Sequence, residues 1–220
     1  RISACTCAPH SIYRTDPVSA LRRWWLRRSH GGGEWAGLLQ APPPGEWVSL
    51  DLETTGLDPS SDHILSLAAV PVRDGRLLLS ERFERRIRPD RDFGIESIRH
   101  HRITPDEGAS GISVTPAVRE FLSWLGSRTL LGYYLDFDVS MLAPHVKSIT
   151  GFALPNARVD LADAFAARER QARPDVPPDL GFQRIAEELG VPILGRHTAL
   201  GDATTTALCW LALQARQRGG

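Results

Sequence analysis

The chain has 220 residues, of which 42% are hydrophobic, and its 26 basic and 26 acidic side chains give a formal net charge of zero. A chain of this length can bury one substantial core, so we expect one domain with an extension. The balanced charge argues against a protein that coats nucleic acid through a strongly basic surface.

Cysteines and apolar runs indicate the compartment. Cys5, Cys7 and Cys209 are odd in number and have the spacing of neither a zinc site nor a disulfide framework. The longest strongly apolar run, Ile64–Val72, is too short to span a membrane. The N-terminus lacks the hydrophobic core of a signal peptide. We therefore expect a cytoplasmic protein that does not contact a membrane.

Residues 1–45 are predicted to form an N-terminal helical extension. A helix is expected from Pro17 to about Ser29, because Asp16 and Pro17 suit a helix start. A second, short helical stretch near 35–40 and a Pro-rich linker follow. We favour a helix that packs on the domain, and a helix that docks a partner or nucleic acid is the alternative. One face of this helix carries Leu21, Trp24, Trp25 and Arg28.

Residues 46–216 are predicted to form an α/β domain. Apolar runs predict consecutive strands, the second and third joined by an Asp74-Gly75 hairpin turn. Helical periodicity then predicts helices that alternate with short strands. The predicted strands are Trp47–Leu52, Ile64–Val72, Arg76–Ile87 and Leu130–Leu131, and the predicted helices are Thr115–Leu125, Asp138–Ile149, Leu161–Ala167, Gly181–Leu189 and Thr198–Ala215. This order indicates a mixed sheet flanked by helices.

Two carboxylates lie at the end of the first predicted strand. Asp51 and Glu53 are two residues apart, so their side chains point to the same side of the sheet. Two anions held this close repel each other unless a cation lies between them, and oxygen ligands suit Mg²⁺ or Mn²⁺. Taken alone, the pair also fits a solvated strand end.

Two further acidic motifs follow downstream. Phe137-Asp138 lies at the start of a predicted helix, and His197 precedes Asp202 by five residues at the start of the last helix. Asp138 shares the inward stripe of its helix. Asp136 lies roughly 160° away on the helical wheel and is better placed as a helix N-cap. Asp138 is therefore the predicted ligand.

The three motifs together carry a family resemblance. With the Asp-Leu-Glu-Thr-Thr-Gly segment at 51–56, they resemble the DEDDh group of 3′→5′ exonucleases. This is the DnaQ-like family, which includes the proofreading epsilon subunit of bacterial DNA polymerase III. The resemblance covers about 47–213 and implies a ribonuclease-H-like fold.

The resemblance also implies a reaction chemistry. Members of this family hold two divalent ions about 3.5–4 Å apart, so we expect two Mg²⁺ or Mn²⁺ ions per site. A histidine acts as general base in this family, so His197 is expected to take the proton from the attacking water. An imidazole pKa near 6.5 suits that role. The residues that match the family's ligands are Asp51, Glu53, Asp138 and Asp202. Glu53 is also expected to be catalytic.

Contacts with the substrate are implied by the same resemblance. In relatives the Thr-Thr-Gly segment lies against the terminal sugar, which gives this role to Thr54 and Thr55. The apolar residue that wedges between the last bases would be Leu57. Glu96 and His101 match an acidic residue and a histidine that lie near the 3′-terminal nucleotide.

One segment departs from the family pattern. Many relatives have His-Asn where this chain has Tyr133-Tyr134. The two tyrosines either stack on bases or pack against the sheet. Asp160 resembles a family aspartate that begins the next helix and is expected to be structural.

The predicted function is metal-dependent 3′→5′ hydrolysis of DNA to nucleoside 5′-monophosphates, in proofreading or repair. The alternatives are a 3′→5′ exoribonuclease and a non-catalytic nucleic-acid-binding module. The expected partners are single-stranded DNA 3′ ends, with RNA as the alternative, and a DNA polymerase that contacts the N-terminal helix.

Overall fold

A computed structural model describes residues 17–89 and 110–218. Within these residues the strands are β1 (Glu46–Thr54), β2 (Ile64–Arg73), β3 (Arg76–Leu77), β4 (Phe83–Arg86), β5 (Thr129–Gly132) and β6 (Arg158–Asp160). The helices are α1 (Pro17–His30), α2 (Val114–Leu125), α3 (Leu135–Thr150), α4 (Leu161–Ala172), α5 (Phe182–Leu189) and α6 (Ala199–Arg218), with 3₁₀ turns at Ala36–Leu39 and Leu79–Glu81.

The strands form one mixed sheet in the order β3-β2-β1-β5-β6, and β4 also pairs with β2. β1 pairs antiparallel with β2 and parallel with β5, which in turn pairs parallel with β6. The Asp74-Gly75 turn has positive φ at both residues, as a tight hairpin requires. The predicted mixed sheet and the hairpin are confirmed.

The prediction of one continuous strand over Arg76–Ile87 is wrong. The structure has β3, a 3₁₀ turn and β4 in its place. The strand opposite contains Pro71, whose carbonyl accepts a bond from the Leu78 amide at 2.9 Å. Pro71 has no backbone N–H to donate to the Leu78 carbonyl, so this residue pair has only one of its two hydrogen bonds. Strand pairing is therefore weakened at Leu78. Pairing resumes only where Phe83 meets Ala69.

Helices cover both faces of the sheet because apolar residues of its strands point to both sides. Val48, Leu50 and Leu52 face a core that includes residues of α2 and α3. Trp47 faces a second core built from α4, α5 and α6. The polar residues of β1 that alternate with the first set therefore lie on the α6 side of the sheet. Strand β6, three residues long, was not predicted.

Helix α1 packs on the domain, but not through its predicted apolar face. Leu26 is buried, and the Arg23 guanidinium donates to the Pro155 carbonyl at 2.6 Å. Leu21, Trp24 and Trp25 are 54–70% exposed. In the described part of the chain, no helix combines the length and apolar character needed to cross a membrane.

Candidate metal centre and its surroundings

Three carboxylates meet where β1 runs past the first turn of α6. Asp51, Glu53 and Asp202 each offer one oxygen, and these oxygens lie within 4.8 Å of one another. The strand alternation brings the first two to the same face. Ser49, on that face, donates its hydroxyl to the Ala203 carbonyl at 2.7 Å and fixes α6 against the strand. The predicted convergence of these three residues is observed.

Burial and mutual repulsion make this cluster electrostatically unfavourable without a cation. The pKa of Asp51 is raised well above its ordinary value by burial and by the charges of the neighbouring carboxylates, Asp138, Asp202 and Glu53. The pKa of Glu53 is raised to about 7, by burial first and by Asp202 second. Burial also raises the pKa of Asp202. Ionising the whole cluster therefore requires positive charge nearby.

Asp138 approaches the cluster from α3 and is 4% exposed. One of its oxygens accepts a hydrogen bond from the Leu52 amide at 3.0 Å. Burial raises the pKa of Asp138 to about 8, although backbone N–H groups oppose the shift. Asp138 is not one of the residues of the 4.8 Å cluster. It borders the cluster and repels Asp51.

Asp136 does not have the N-cap role that we predicted. Helix α3 begins one residue before it, and its side chain is 94% exposed and pairs with Arg158 at 3.2 Å. The Leu135 amide at the helix start instead donates to Asp160 at 2.8 Å. A carboxylate from β6 therefore replaces the local cap, which local sequence patterns do not indicate.

The donor set fits a divalent cation. All donors are carboxylate oxygens, which hard cations such as Mg²⁺ and Mn²⁺ prefer. One oxygen of Asp202 is buried and has no hydrogen-bond partner among the described residues. A buried carboxylate oxygen without a partner destabilises the folded state unless a ligand binds to it. Asp51, Glu53 and Asp202 could therefore hold a divalent metal ion, with Asp138 at the border of the cluster.

His197 lies in the loop that precedes α6 and has a positive φ of 63°. Its amide donates to Asp202 at 3.1 Å, so the loop and the acidic cluster are directly connected. The Thr198 hydroxyl accepts from the Gly201 amide at 3.1 Å, so Thr198 caps the start of α6. A Cβ at Gly201 would lie 2.2 Å from the Gly195 carbonyl oxygen, so this close approach requires glycine.

The predicted substrate contacts are only partly described. Thr54 donates its hydroxyl to the Gly56 carbonyl at 2.7 Å, and Thr55 donates to Asp62 at 3.0 Å. These bonds hold the turn after β1, and Leu57 on this turn is 82% exposed. Glu96 and His101 lie outside the described residues.

Two structural aspartates support the site. Asp62, which we did not single out from the sequence, binds the Thr55 hydroxyl and the Asp58 amide. Asp160 caps α4 by accepting from the Ala162 amide at 2.8 Å, in addition to its bond at the start of α3. An acidic residue directly before a helix is a usual N-cap signal, but its second bond depends on the tertiary structure.

A mixed sheet with helices on both faces and acidic residues at the end of its central strand defines a ribonuclease-H-like nuclease architecture. The model of the Exonuclease family, RNase_T, matches residues 48–209, and the chain belongs to this family. The resemblance inferred from the sequence motifs is thereby confirmed.

Several curated proteins are similar to this chain. The DNA polymerase III epsilon subunit of Aquifex aeolicus is 28% identical over 166 residues, which cover 74% of this chain and 77% of that protein. A DNA polymerase III subunit epsilon-like protein of Rhodobacter capsulatus is 30% identical over 76% of this chain and 23% of that protein. The PolC-type DNA polymerase III of Thermotoga petrophila is 28% identical over 75% of this chain, which spans only 12% of that polymerase.

Solved structures show the same fold. Exonuclease I of E. coli, in its zinc-bound complex with single-stranded DNA, aligns with a TM-score of 0.65 and 20% identity over 81% of this chain and 42% of that chain. Cell-death related nuclease 4 aligns with a TM-score of 0.67 and 15% identity over 80% of this chain and 66% of that chain.

Proposed function

We propose that this protein is a metal-dependent 3′→5′ exonuclease that removes nucleoside 5′-monophosphates from the 3′ end of single-stranded DNA, in proofreading or repair. The convergence of Asp51, Glu53 and Asp202, with buried Asp138 beside them, is the observation that carries the proposal. DNA is favoured as substrate because the curated relatives are named as DNA polymerase III subunits, and one structural neighbour is a complex with single-stranded DNA.

The four carboxylates would hold two Mg²⁺ or Mn²⁺ ions, with Glu53 close to the reacting phosphate. When bound, such ions lower the pKa of a coordinated water and neutralise charge on the phosphate. Their binding would also relieve the repulsion that raises the pKa of Asp51. The acidic side chains thus contribute charge and position, and they need no covalent intermediate.

His197 would take the proton from the attacking water as general base. Its loop is tied to the cluster by the amide bond to Asp202 and by the close contact at Gly201. A side chain on this loop can reach water at the acidic cluster without itself filling a ligand position. Water adds to phosphorus, the P–O3′ bond breaks, and the released 3′ oxygen is protonated.

Terminus recognition would come from the turn after β1. Leu57 is 82% exposed, and an exposed leucine beside a nuclease centre can insert between the last two bases. Thr54 and Thr55 would face the terminal sugar while their hydroxyl bonds keep the turn rigid. The family resemblance assigns Glu96 and His101 to the same proposed subsite.

The experiment compares labelled single-stranded DNA, duplex DNA, circular single-stranded DNA and short RNA under identical conditions. We expect mononucleotides from free 3′ ends of single-stranded DNA in Mg²⁺ or Mn²⁺, and no product with chelator or with Asp51→Asn. Cutting of the circle would refute the exonuclease proposal. Preference for the RNA would establish the exoribonuclease alternative, and tight binding without cleavage of any substrate would establish a binding module.

We also propose that a DNA polymerase contacts the outer face of α1. Leu21, Trp24, Trp25 and Arg28 follow the i, i+3, i+4, i+7 spacing of a helix-contact stripe. The Arg28 guanidinium lies 5.3 Å from the centre of the Trp24 ring. Substituting both tryptophans with alanine should abolish co-elution with the replicative polymerase of the same organism and leave hydrolysis of short oligonucleotides unchanged. Unchanged co-elution would overturn the assignment.

A further inference from the structure

Tyr133 and Tyr134 directly follow β5, the strand next to β1. β5 pairs in parallel with β1, and Leu131 is level with Ser49. The strand ends at Gly132, which that register places level with Leu50, one residue before Asp51. Neighbouring strands lie about 4.8 Å apart, so the two tyrosines leave the sheet within a short distance of the carboxylates.

The two tyrosines have different surroundings. Tyr133 is half-buried, donates its hydroxyl to the Leu180 carbonyl at 2.9 Å, and has its ring 4.9 Å from that of Phe182. Burial, with a smaller effect of the neighbouring tyrosine, raises the pKa of Tyr133 to about 12. Tyr133 therefore packs in the manner of a core residue, which is one of the two roles considered for this pair.

Tyr134 is exposed but held in place. Its ring centre lies 4.5 Å from that of Tyr133, and its side chain is 54% exposed. One side of the ring is therefore supported by a fixed aromatic neighbour, and the rest is open to solvent. A supported ring loses little conformational freedom when a flat group binds to its open side.

The backbone of Tyr134 is strained for this residue type. It adopts the left-handed conformation, with φ 52° and ψ 44°, which costs roughly 1–2 kcal/mol for a residue with a side chain. Its side chain does not cap α3, because Asp160 binds the Leu135 amide instead. Strain of this kind at a functional site is typically retained because it positions a group for use.

We propose that Tyr134 is a stacking platform for an unpaired base of the substrate strand, adjacent to the reacting phosphate. The inference rests on the proposed function, since it assumes that a nucleic-acid strand reaches the acidic cluster. Every base has a π face, so stacking on Tyr134 accepts any sequence. It requires a base that is not paired and stacked within a duplex, and it therefore favours single strands.

The test uses two variants with different expected effects. Tyr134→Asn removes the ring and keeps a residue that tolerates the left-handed conformation, and Tyr134→Phe keeps the ring. Binding of a fluorescein-labelled ten-nucleotide oligo-dT is measured by anisotropy in EDTA. We expect Kd to rise on the order of tenfold in Tyr134→Asn and to stay close to wild type in Tyr134→Phe. The thermal midpoint of Tyr134→Asn should equal or exceed that of the wild type.

A second measurement locates the base that stacks on Tyr134, counted from the 3′ end. Oligonucleotides with one abasic position, moved stepwise from the 3′ end, should bind the wild type weakly at one position. The same abasic position should have no additional effect in Tyr134→Asn, because the ring and the base form one interaction. The proposal would be overturned if each abasic position reduced the affinity of both proteins equally. Equal Kd values of wild type and Tyr134→Asn for the intact oligonucleotide would also overturn it.

The result is distinguishable from a failure of the proposed function. If the oligonucleotide binds with the predicted dependence on Tyr134 but is not hydrolysed when Mg²⁺ or Mn²⁺ is added, the exonuclease proposal fails and the stacking platform stands. If the wild type hydrolyses DNA and Tyr134→Asn has unchanged KM and Kd, only the platform fails. If the wild type binds no oligonucleotide, both fail.

Discussion

Neutralising Asp138 should stabilise the metal-free protein at alkaline pH. Asp138 is 4% exposed and has a pKa of about 8 where an ordinary aspartate has 3.8. Because its folded-state pKa is raised, protonated Asp138 favours the folded state. This contribution to the free energy of unfolding is complete below pH of about 4 and is lost as pH rises to about 8. The difference between these two pKa values corresponds to roughly 6 kcal/mol of stability at most. We expect Asp138→Asn to recover about 1–3 kcal/mol, since local relaxation and water entry relieve part of the repulsion.

Thermal unfolding in EDTA at pH 4.5 and pH 8.5 measures this effect. The gain at pH 8.5 should raise the midpoint by about 2–12 °C, using roughly 2–4 °C per kcal/mol for a domain of this size, and the gain at pH 4.5 should be much smaller. Asp136→Asn is the matched control, because this exposed residue two positions away should show little change at either pH. A midpoint for Asp138→Asn that is unchanged or lower at pH 8.5 would refute the reasoning. Nuclease activity, in contrast, should fall severely in Asp138→Asn and only mildly in Asp136→Asn.

Three further predictions concern the metal, the general base and the loop that carries it. Millimolar Mn²⁺ should raise the thermal midpoint of the wild type, because a ligand that binds only the folded state stabilises it; an unchanged midpoint would count against the site. His197→Ala should lower turnover by about 10²–10⁴-fold and keep the Mn²⁺-induced shift, whereas near-normal turnover would remove His197 from the mechanism. Gly201→Ala should destabilise the fold by about 1–3 kcal/mol, because its Cβ would lie 2.2 Å from the Gly195 carbonyl oxygen. Gly37→Ala, whose Cβ would meet nothing within 4 Å, is the control and should leave unfolding nearly unchanged.

The sequence predicted the fold wherever periodicity was sustained. Helix α2 and strand β2 begin and end within one residue of their predicted limits. The failure at Arg76–Ile87 arose because the interruption depends on Pro71 in the opposite strand, not on the segment itself. Strand β6 has three residues, too few for an alternation to be recognised, and parallel pairing with β5 holds it in place.

The acidic site was predictable to the extent that it depends on local geometry. Strand alternation placed Asp51 and Glu53 together, and helical phase separated Asp138 from Asp136, as the burial of one and the exposure of the other now show. The cap of α3 was mispredicted because its acceptor, Asp160, comes from a strand more than twenty residues downstream. Local patterns cannot supply a hydrogen-bond partner that only the folded sheet brings near.

Backbone strain points to the same edge of the sheet as the family motifs. Within the described residues, the non-glycine positions with positive φ are Asp74, Tyr134 and His197. Asp74 serves the hairpin, where this conformation is required. Tyr134 follows β5, the strand next to β1, and His197 donates its amide to Asp202. The carboxylates of β1, α3 and α6 already oppose folding by their repulsion. Strain and charge repulsion would both be selected against if this edge had only to be stable, so their coincidence supports the proposed function at this edge.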